Sequence, residues 1–462
     1  MDVGGKELYT YQDLEKVGTN ENSRFDFIQK AVEEHTGSAR YKMAATAERY
    51  YAKHNETIEK YQKFLYTITG QAVPDTFSAN YKIKTLFFRR FVIQQVQYVL
   101  SNGVSFAKKD TKAKLGRGFD NAIVKLAKKA MVDSVSFGFW NKDHLEVFCF
   151  ADTPKDPGFA PLYDESTGEL CAGIRYWKPS EDAERFTLYE EDGFTDYVKR
   201  VNKPGEVLTP KRAYLQDVTK APADTDGVTT SRNYGRLPIF PMYANDLQQS
   251  ELEGIQEGID CYDLIKSGLA NDVDEASSFY WILKNSGGMD DIESLKKFVE
   301  QMKLHHAAVV DGDSGQEATA NTLDVPTDAR MKALEIIKND LYEDFQILNT
   351  SALAAGNKTA TEIRTAYQPM DDKCGDFEYL IRDFIDKLLG LLGIQDEPSF
   401  QWNRIANQTE ETQMVMTAYA VLGDELTLKK LPFLTPEESS ARIKELTAED
   451  TARISTDPPE EE

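Results

Sequence analysis

Two long segments with helical apolar spacing, separated by a compact insert, place the strongest constraint on how this chain folds. In the first, apolar residues recur at Leu252, Ile255, Ile259, Tyr262 and Ile265. In the second, they recur at Leu334, Ile337, Leu341, Phe345 and Leu348. Steps of three or four positions predict a helix with one apolar face in each segment. The second helix spans about 30 Å at about 1.5 Å per residue. Residues 277–325 between them are predicted to form a small α/β insert.

Gly254 and Gly258 lie one turn apart in the first predicted helix, and Ser250 with Glu253 has the spacing of a capping box at its start. In an isolated helix each glycine costs up to about 1 kcal/mol relative to alanine. We therefore expect neighbouring groups to pack closely against this helix at the two glycines.

The rest of the chain alternates between helical and β-rich regions. Helical spacing dominates residues 24–66 and 81–100, whereas residues 131–243 contain short aromatic and β-branched runs separated by turns. The latter predict an antiparallel β-rich region. The predicted fold class is therefore α+β, mainly helical.

A further helix is predicted from Thr359 to Leu392, where Pro369 and Gly375 should kink it and Gly393 should end it. The N-terminal 23 residues are polar and irregular, which predicts a flexible arm. Residues 456–462 predict a disordered acidic tail.

The net charge excludes a broad surface that grips nucleic acid tightly. The chain has 54 basic and 77 acidic side chains, a formal charge of −23, whereas proteins that clamp a duplex are generally basic. An acidic protein can still contact DNA that must slide past it.

The chain contains no run of about 18 apolar residues, and its start has no apolar signal sequence. Its four cysteines lie far apart, which favours a reducing cytosol.

Catalytic and metal-binding patterns are scarce. The adjacent His305 and His306 point apart on any regular element, and the sequence contains no HExxH, GxSxG or Walker A motif. The acidic loop from Asp311 resembles a calcium loop but has Gln316 and Thr322 where glycine and glutamate belong. The acidic pair at 371–372 is interpreted as a solvated helix face.

A basic run lies in residues 107–130, and its lysines and arginine are Lys108, Lys109, Lys112, Lys114, Arg117, Lys125, Lys128 and Lys129. We interpret it as the solvated face of a helix, with a nucleic-acid or partner patch as the alternative.

Several blocks, in order from residue 24 to about 450, resemble the portal proteins of tailed double-stranded-DNA bacteriophages of the siphophage type. The most specific block comprises Leu237-Pro-Ile-Phe-Pro241, Ser250 to Glu253, Ile259 to Asp263, and Ser267 to Asp272. The others comprise Ser38 to Ile58, Tyr81 to Phe106, Gly173 to Trp177, Gly356 to Thr359, and Trp402-Asn403 with Glu410-Glu411.

The resemblance implies a portal fold with a wing, a two-helix stem, a small α/β clip, a long kinked helix and a helical crown, assembled as a ring of about twelve copies. The implied function is a DNA channel at one capsid vertex, used for genome packaging by terminase, procapsid nucleation, head–tail joining and DNA ejection. No enzymatic activity, cofactor, metal or membrane is implied. The implied location is the virion, with the host cytoplasm during assembly.

The partners implied by the resemblance are further copies of the chain, the large terminase subunit, the major capsid and scaffolding proteins, head-completion or adaptor proteins, and double-stranded DNA bound transiently without sequence preference.

The implied layout is an arm at 1–23, a wing at 24–245, stem helices at 246–276 and 326–349, a clip at 277–325, a tunnel loop at 350–358, a long kinked helix at 359–399, a crown at 400–455 and an acidic tail at 456–462.

Three groups of site residues follow from this layout. The tunnel loop facing DNA comprises Ser351, Ala352, Leu353, Ala354, Ala355, Gly356, Asn357 and Lys358, and Lys358 is either a phosphate contact or merely a lysine at a helix start. The stem packing residues are Gly254, Gly258, Ile255, Ile259, Leu334 and Leu341. The clip interface comprises Phe279, Trp281, Lys296 and Lys297.

Two alternatives stay open. A cytosolic enzyme with an unrecognised carboxylate site would form a small oligomer with a closed pocket and perturbed acids. Another ring protein of the head–tail junction, such as an adaptor, would usually be much shorter and lack both the β-rich wing and two long stem helices.

Overall fold

Helices pack against one large sheet in the computed structural model, which agrees with an α+β fold. The structure describes residues 9–66, 71–75, 78–219, 228–276, 280–284, 293, 317–321, 327–351, 360–404, 408–431, 434 and 436–454. No helix in these ranges is both long and apolar enough to cross a membrane.

The described helices are numbered in chain order. They are α1 Tyr11–Val17, α2 Glu21–Gly37, α3 Ala39–Tyr51, α4 Glu56–Lys60, α5 Phe87–Leu100, α6 Lys109–Leu115, α7 Phe119–Asp133, α8 Gln256–Ala276, α9 Thr327–Asp344, α10 Ala360–Leu392, α11 Gln408–Thr417, α12 Tyr419–Lys430 and α13 Pro436–Ile454. As predicted, Pro369 lies inside α10 and Gly393 follows its end with a positive φ of 65°.

The described strands are also numbered in chain order. They are β1 Phe64–Tyr66, β2 Ala72–Pro74, β3 Val104–Phe106, β4 Val135–Asn141, β5 His144–Cys149, β6 Gly158–Tyr163, β7 Leu170–Ser180, β8 Ala183–Glu190, β9 Gly193–Arg200, β10 Glu206–Arg212, β11 Leu215–Thr219, β12 Val228–Arg232, β13 Ile239–Tyr243, β14 Tyr280–Lys284, β15 Glu317–Asn321 and β16 Pro398–Phe400.

Eight strands form the main sheet, in the order β10-β9-β8-β7-β6-β5-β4-β13. The predicted antiparallel β-rich region at 131–243 is thus confirmed, with one exception. Strands β5 and β6 pair in parallel through Cys149 and Gly158.

Helix α10 lies directly against the sheet at Gly138 of β4. A Cβ at Gly138 would lie 2.3 Å from Cζ of Phe384, so only glycine leaves room for this ring. Trp140 lies two positions after Gly138, on the same face of β4. It belongs with Phe384 to one core cluster that also contains residues of α5, α7, α8 and α9. The long helix therefore connects the sheet to the helical half of the chain.

The predicted flexible arm is wrong for residues 11–17, which form α1. Leu14 is buried in a cluster with Phe25 and Tyr197, from α2 and β9. The helix forms because Leu14, with Tyr11 and Val17 beside it, docks on residues distant in sequence, which local patterning does not reveal.

Helix α5 begins later than the prediction of 81–100. Residues 81–86 have no regular secondary structure. The backbone N–H groups of Tyr81, Ile83 and Thr85 donate to side chains of α8, and the helix begins at Phe87.

His35 makes the stability of the α2–sheet contact dependent on pH. Its Nε2 lies 3.0 Å from the Phe150 carbonyl oxygen, and burial, with a smaller effect of Arg40, lowers the pKa of the imidazole from 6.5 to about 4, against the opposing effects of Phe150 and Asp152. The unfolded chain therefore binds a proton more readily between these values. The contribution of His35 to the free energy of unfolding is complete above pH 6.5. It falls by about 3 kcal/mol as the pH decreases towards 4.

We expect the free energy of unfolding, measured by urea unfolding, to be lower at pH 4.5 than at pH 7 because of this loss. The His35→Gln variant, which keeps an N–H donor for Phe150 but does not titrate, should show a smaller difference between the two pH values. An equal difference in both proteins would contradict the role given to His35.

Candidate functional site

Helices α8 and α9 are the paired helices that the apolar spacing predicted. The first begins at Gln256, later than the capping-box spacing of Ser250 and Glu253 suggested. The Ser250 hydroxyl donates to the Val132 carbonyl oxygen at 2.6 Å and accepts from the Leu252 N–H at 3.2 Å. This serine therefore fixes the chain to the end of α7, and the capping box is not formed.

We call α8 and α9 the stem pair, after the layout that the resemblance implies. Ile255, Ile259 and Leu341 are buried together, and a Cβ at Gly258 would lie 2.8 Å from Cδ2 of Leu341. Leu334 is only half-buried. Gly254 precedes the helix and has no atom within 4 Å of its Cβ position in the described part of the chain, so its predicted close contact is not made within this part.

Enlarging Gly258 is expected to destabilise the protein by about 2 kcal/mol, because Leu341 is buried and has little room to move. The Gly258→Leu variant should show this loss in chemical unfolding. Gly254→Leu is the matched control and should change the free energy of unfolding by less than about 0.5 kcal/mol. Equal losses in both variants would contradict the asymmetric packing of the two glycines.

A row of polar side chains on α8 binds the extended segment 81–86. Asp263, Ser267 and Asn271 are spaced by four residues, about 6 Å along a helix. The backbone N–H groups of Thr85, Ile83 and Tyr81 donate to them at 3.1, 2.9 and 2.6 Å. Alternate residues of an extended chain are about 6.6 Å apart, so the two repeats match. We call this contact the polar ladder.

Asp263 is the most buried side chain of the ladder and also accepts from Nδ2 of Asn55 at 3.0 Å. Burial raises the pKa of the Asp263 carboxyl group, against the opposing effect of the hydrogen bonds from Thr85 and Asn55. Nearby Asp260 accepts from the hydroxyl groups of Tyr50 and Thr57. Asp263, Ser267 and Asn271 fall in the most specific motif block of the resemblance. The sequence analysis missed their role in binding residues 81–86, although their i, i+4, i+8 spacing is evident in the sequence.

Several apolar side chains of the stem pair are exposed. Leu264 and Val273 of α8 are 40% and 55% exposed, and Met331 and Ile336 of α9 are 62% and 60% exposed. Leu264 and Val273 are nine residues apart, which places them on opposite sides of a helix with 3.6 residues per turn. The exposed apolar residues therefore lie on more than one side of the stem pair.

The segment leading to the predicted tunnel loop is fixed to the rest of the fold. Nε2 of Gln94 donates to the Leu348 carbonyl oxygen at 3.0 Å. Nζ of Lys373 donates to the Phe345 carbonyl oxygen at 3.0 Å and pairs with Glu251 at 2.5 Å. Ser351 is described, whereas the other predicted tunnel-loop residues, 352–358, lie outside the described residues.

Within the predicted clip the structure describes strands β14 and β15 and residue 293. Trp281 lies in β14, opposite Ala320 of β15. The other predicted interface residues, Phe279, Lys296 and Lys297, lie outside the described residues. The first part of the predicted acidic loop, 311–316, also lies outside them, whereas residues 317–321 form β15 instead of a loop.

A polar cluster connects α5, α10 and the start of the predicted crown. The Tyr98 hydroxyl donates to Asp371, and Nη2 of Arg404 pairs with the same carboxylate at 2.9 Å. Nε1 of Trp402 donates to Glu378 at 2.7 Å. Asp371 is therefore not the solvated acid predicted from the sequence.

The basic run is also not uniformly solvated. Lys112 and Lys125 pair with Asp120 and Asp156 at the surface. In contrast, Lys129 is largely buried and pairs with Glu48 at 2.5 Å. Within the described ranges, no group of three or more histidine, cysteine, aspartate or glutamate side chains is arranged to hold a metal ion.

Comparison with known proteins gives a family match over most of the chain. The family model described as "Phage portal protein, SPP1 Gp6-like" matches residues 31–453. The portal protein of Bacillus phage SPP1 is 24% identical over 447 residues, covering 90% of this chain and 85% of the relative. The portal protein of Clostridium phage phiCD119 is 27% identical over 224 residues, covering 47% of this chain and 49% of that protein.

Solved structures resemble the chain more distantly. A chain in the neck of an empty GTA particle has a TM-score of 0.40 at 12% identity, covering 78% of this chain and 90% of its own. A chain in the virion of a native gene transfer agent particle has a TM-score of 0.42 at 11% identity, covering 78% of this chain and 89% of its own.

Proposed function

The chain belongs to the family of phage portal proteins of the SPP1 Gp6-like type, and from this premise we propose that it assembles into a ring of about twelve copies that forms the DNA channel at one capsid vertex. The family match over residues 31–453 carries this proposal. In such a ring the genome enters under the action of terminase and leaves during ejection, while the ring itself supplies the channel and the docking surfaces.

The stem pair supports a ring because its apolar residues face in two directions. Ile259 and Leu341 hold the two helices together within the protomer, whereas Leu264, Met331 and Ile336 remain exposed. In a ring, this second set is covered by the stem pairs of neighbouring copies. Burial of apolar surface contributes about 25 cal/mol per Å², and each copy gains it at two interfaces.

The charge of the chain is consistent with a channel through which DNA slides. A net charge of −23 repels the phosphate backbone, and many lysine or arginine contacts would instead add salt-dependent affinity. Under this proposal residues 351–358 face the DNA, and Lys358 is the one phosphate contact among them.

The remaining assignments follow the family layout. We assign residues 24–245 to the wing, 277–325 to the clip that meets terminase and later the head-completion or adaptor proteins, 359–399 to the long helix and 400–455 to the crown. The ring would nucleate the procapsid with the scaffolding and major capsid proteins and act in the virion after assembly in the host cytoplasm.

Native mass spectrometry and negative-stain imaging of the purified protein test this proposal. A ring of about twelve or thirteen copies with a central hole is expected. Because capsid proteins can be needed for assembly, the protein is also examined after coexpression with capsid and scaffolding proteins. A compact dimer or tetramer under both conditions would overturn the proposal.

A further inference from the structure

A groove of about 490 Å³ lies on one face of the stem pair, between α8, α9 and the residues before β1. Leu264 and Gly268 of α8 line it, together with Ala329 and Ala333 of α9 and with Tyr61. The glycine and the two alanines leave space between the helices, and Leu264 and Tyr61 are exposed beside it. The groove is therefore a largely apolar recess that the described part of the protomer leaves open.

Met331 and Val273 are exposed on the opposite face of the stem pair. Met331 is two positions from both Ala329 and Ala333, and residues two apart on a helix point about 200° away from each other. Val273 is nine positions from Leu264, which turns it about 180° away on α8. Because Leu264 and the two alanines line the groove, Met331 and Val273 lie on the other face.

The groove and Met331 lie at the same level along the stem pair. Nη2 of Arg330, the residue before Met331, pairs with Asp272, the residue before Val273, at 2.5 Å. Arg330 and Asp272 both line the groove as well. Copies in a closed ring are related by rotation alone. With the stem pair along the channel, a side chain on one face therefore meets the next copy at its own level.

The charges around the two surfaces are complementary. Asp328 and Glu335 are exposed about one turn before and one turn after Met331. Lys63 and Arg330 line the groove. An apolar centre bordered by opposite charges on the two partners is typical of a specific protein–protein contact.

We propose that Met331 of one copy, with Val273 beside it, inserts into the groove of the next copy around the ring. The inference rests on the proposed ring and identifies the two surfaces that meet in its stem. Contact between two different surfaces of the same chain is heterologous, which is the type of contact that generates rings. Methionine suits this role because its unbranched side chain adapts to irregular gaps.

Disulfide trapping in rings of the full-length protein tests this contact. The background is Cys261→Ser, because Cys261 is exposed. Met331→Cys is combined in turn with Ala329→Cys, Ala333→Cys and Leu264→Cys. Residues two apart on a helix do not face each other, so cysteines at 329 and 331 can pair only between copies. We expect oxidation of the rings to give, for at least one combination, covalent oligomers larger than dimers that return to single chains on reduction.

The matched control combines Asp340→Cys with Ala329→Cys. Asp340 is exposed and lies eleven positions after Ala329, about three turns later on the same side of α9. Two cysteines on one face should give no oligomer larger than a dimer. A ring that is lost on Met331→Cys but kept on Asp340→Cys would also place Met331 in the contact.

Two results would overturn this contact and leave the ring in place. One is rings in which none of the three Met331→Cys combinations gives oligomers larger than dimers. The other is an equally long series of oligomers from the control combination. If the unchanged protein forms no ring, even beside capsid and scaffolding proteins, the proposed function fails and this inference fails with it.

Discussion

The Ile336→Glu variant is expected to behave as a single protomer of 52.2 kDa under conditions in which the unchanged protein forms a ring. Ile336 is 60% exposed on α9, so the protomer should fold normally with glutamate there. In the proposed ring the same position is covered by a neighbouring stem pair. An unpaired carboxylate buried there costs several kcal/mol at every interface, and this cost is repeated around the ring.

The mass distribution from native mass spectrometry measures this effect, and circular dichroism checks the fold of the protomer. Leu264→Glu, on α8, should act in the same way. Asn339→Glu places the same charge at an exposed, already polar position of α9 and is expected to leave the ring intact. Rings that form normally with both Ile336→Glu and Leu264→Glu would show that the exposed apolar residues of the stem pair are not the contact surface.

The Asp263→Ala variant is expected to lose about 3 kcal/mol of stability, among the largest effects of any single polar residue described here. The substitution leaves the Thr85 N–H and the Asn55 amide without their acceptor in a buried environment, and each unsatisfied donor costs about 1–3 kcal/mol. Urea unfolding at pH 7 measures the loss.

The control for this variant is Glu257→Gln, which neutralises an exposed acid in the first turn of the same helix. It should change stability by less than about 1 kcal/mol. If Asp263→Ala costs no more than Glu257→Gln, the hydrogen bonds of Asp263 contribute little to the contact between α8 and residues 81–86.

The elements best predicted from the sequence are those whose own residues decide their structure. The apolar spacing of α8 and α9 located the stem pair, and short aromatic and β-branched runs separated by turns located the main sheet. Such patterns report which face of an element is buried, and this needs no knowledge of the partner.

The failures arise where a distant residue supplies the deciding interaction. Ser250 does not form its predicted cap because Val132, 118 residues away, takes its hydroxyl hydrogen. Residues 81–86 do not join α5 because α8, about 180 residues later, accepts their N–H groups. Lys129 is buried because Glu48 on another helix pairs with it. Local spacing rules contain none of these partners.

The polar ladder has a mechanical consequence for the stem pair. Helix α8 is held by hydrogen bonds to residues 81–85 from Asp263 to Asn271. The buried residues of α9, by contrast, are Leu341 and Tyr342, close to its C-terminal end. At the opposite end α9 is tied to α8 by the ion pair of Arg330 with Asp272. Because salt weakens an ion pair but not apolar burial, raising the ionic strength is expected to loosen the Arg330 end of α9 before the Leu341 end.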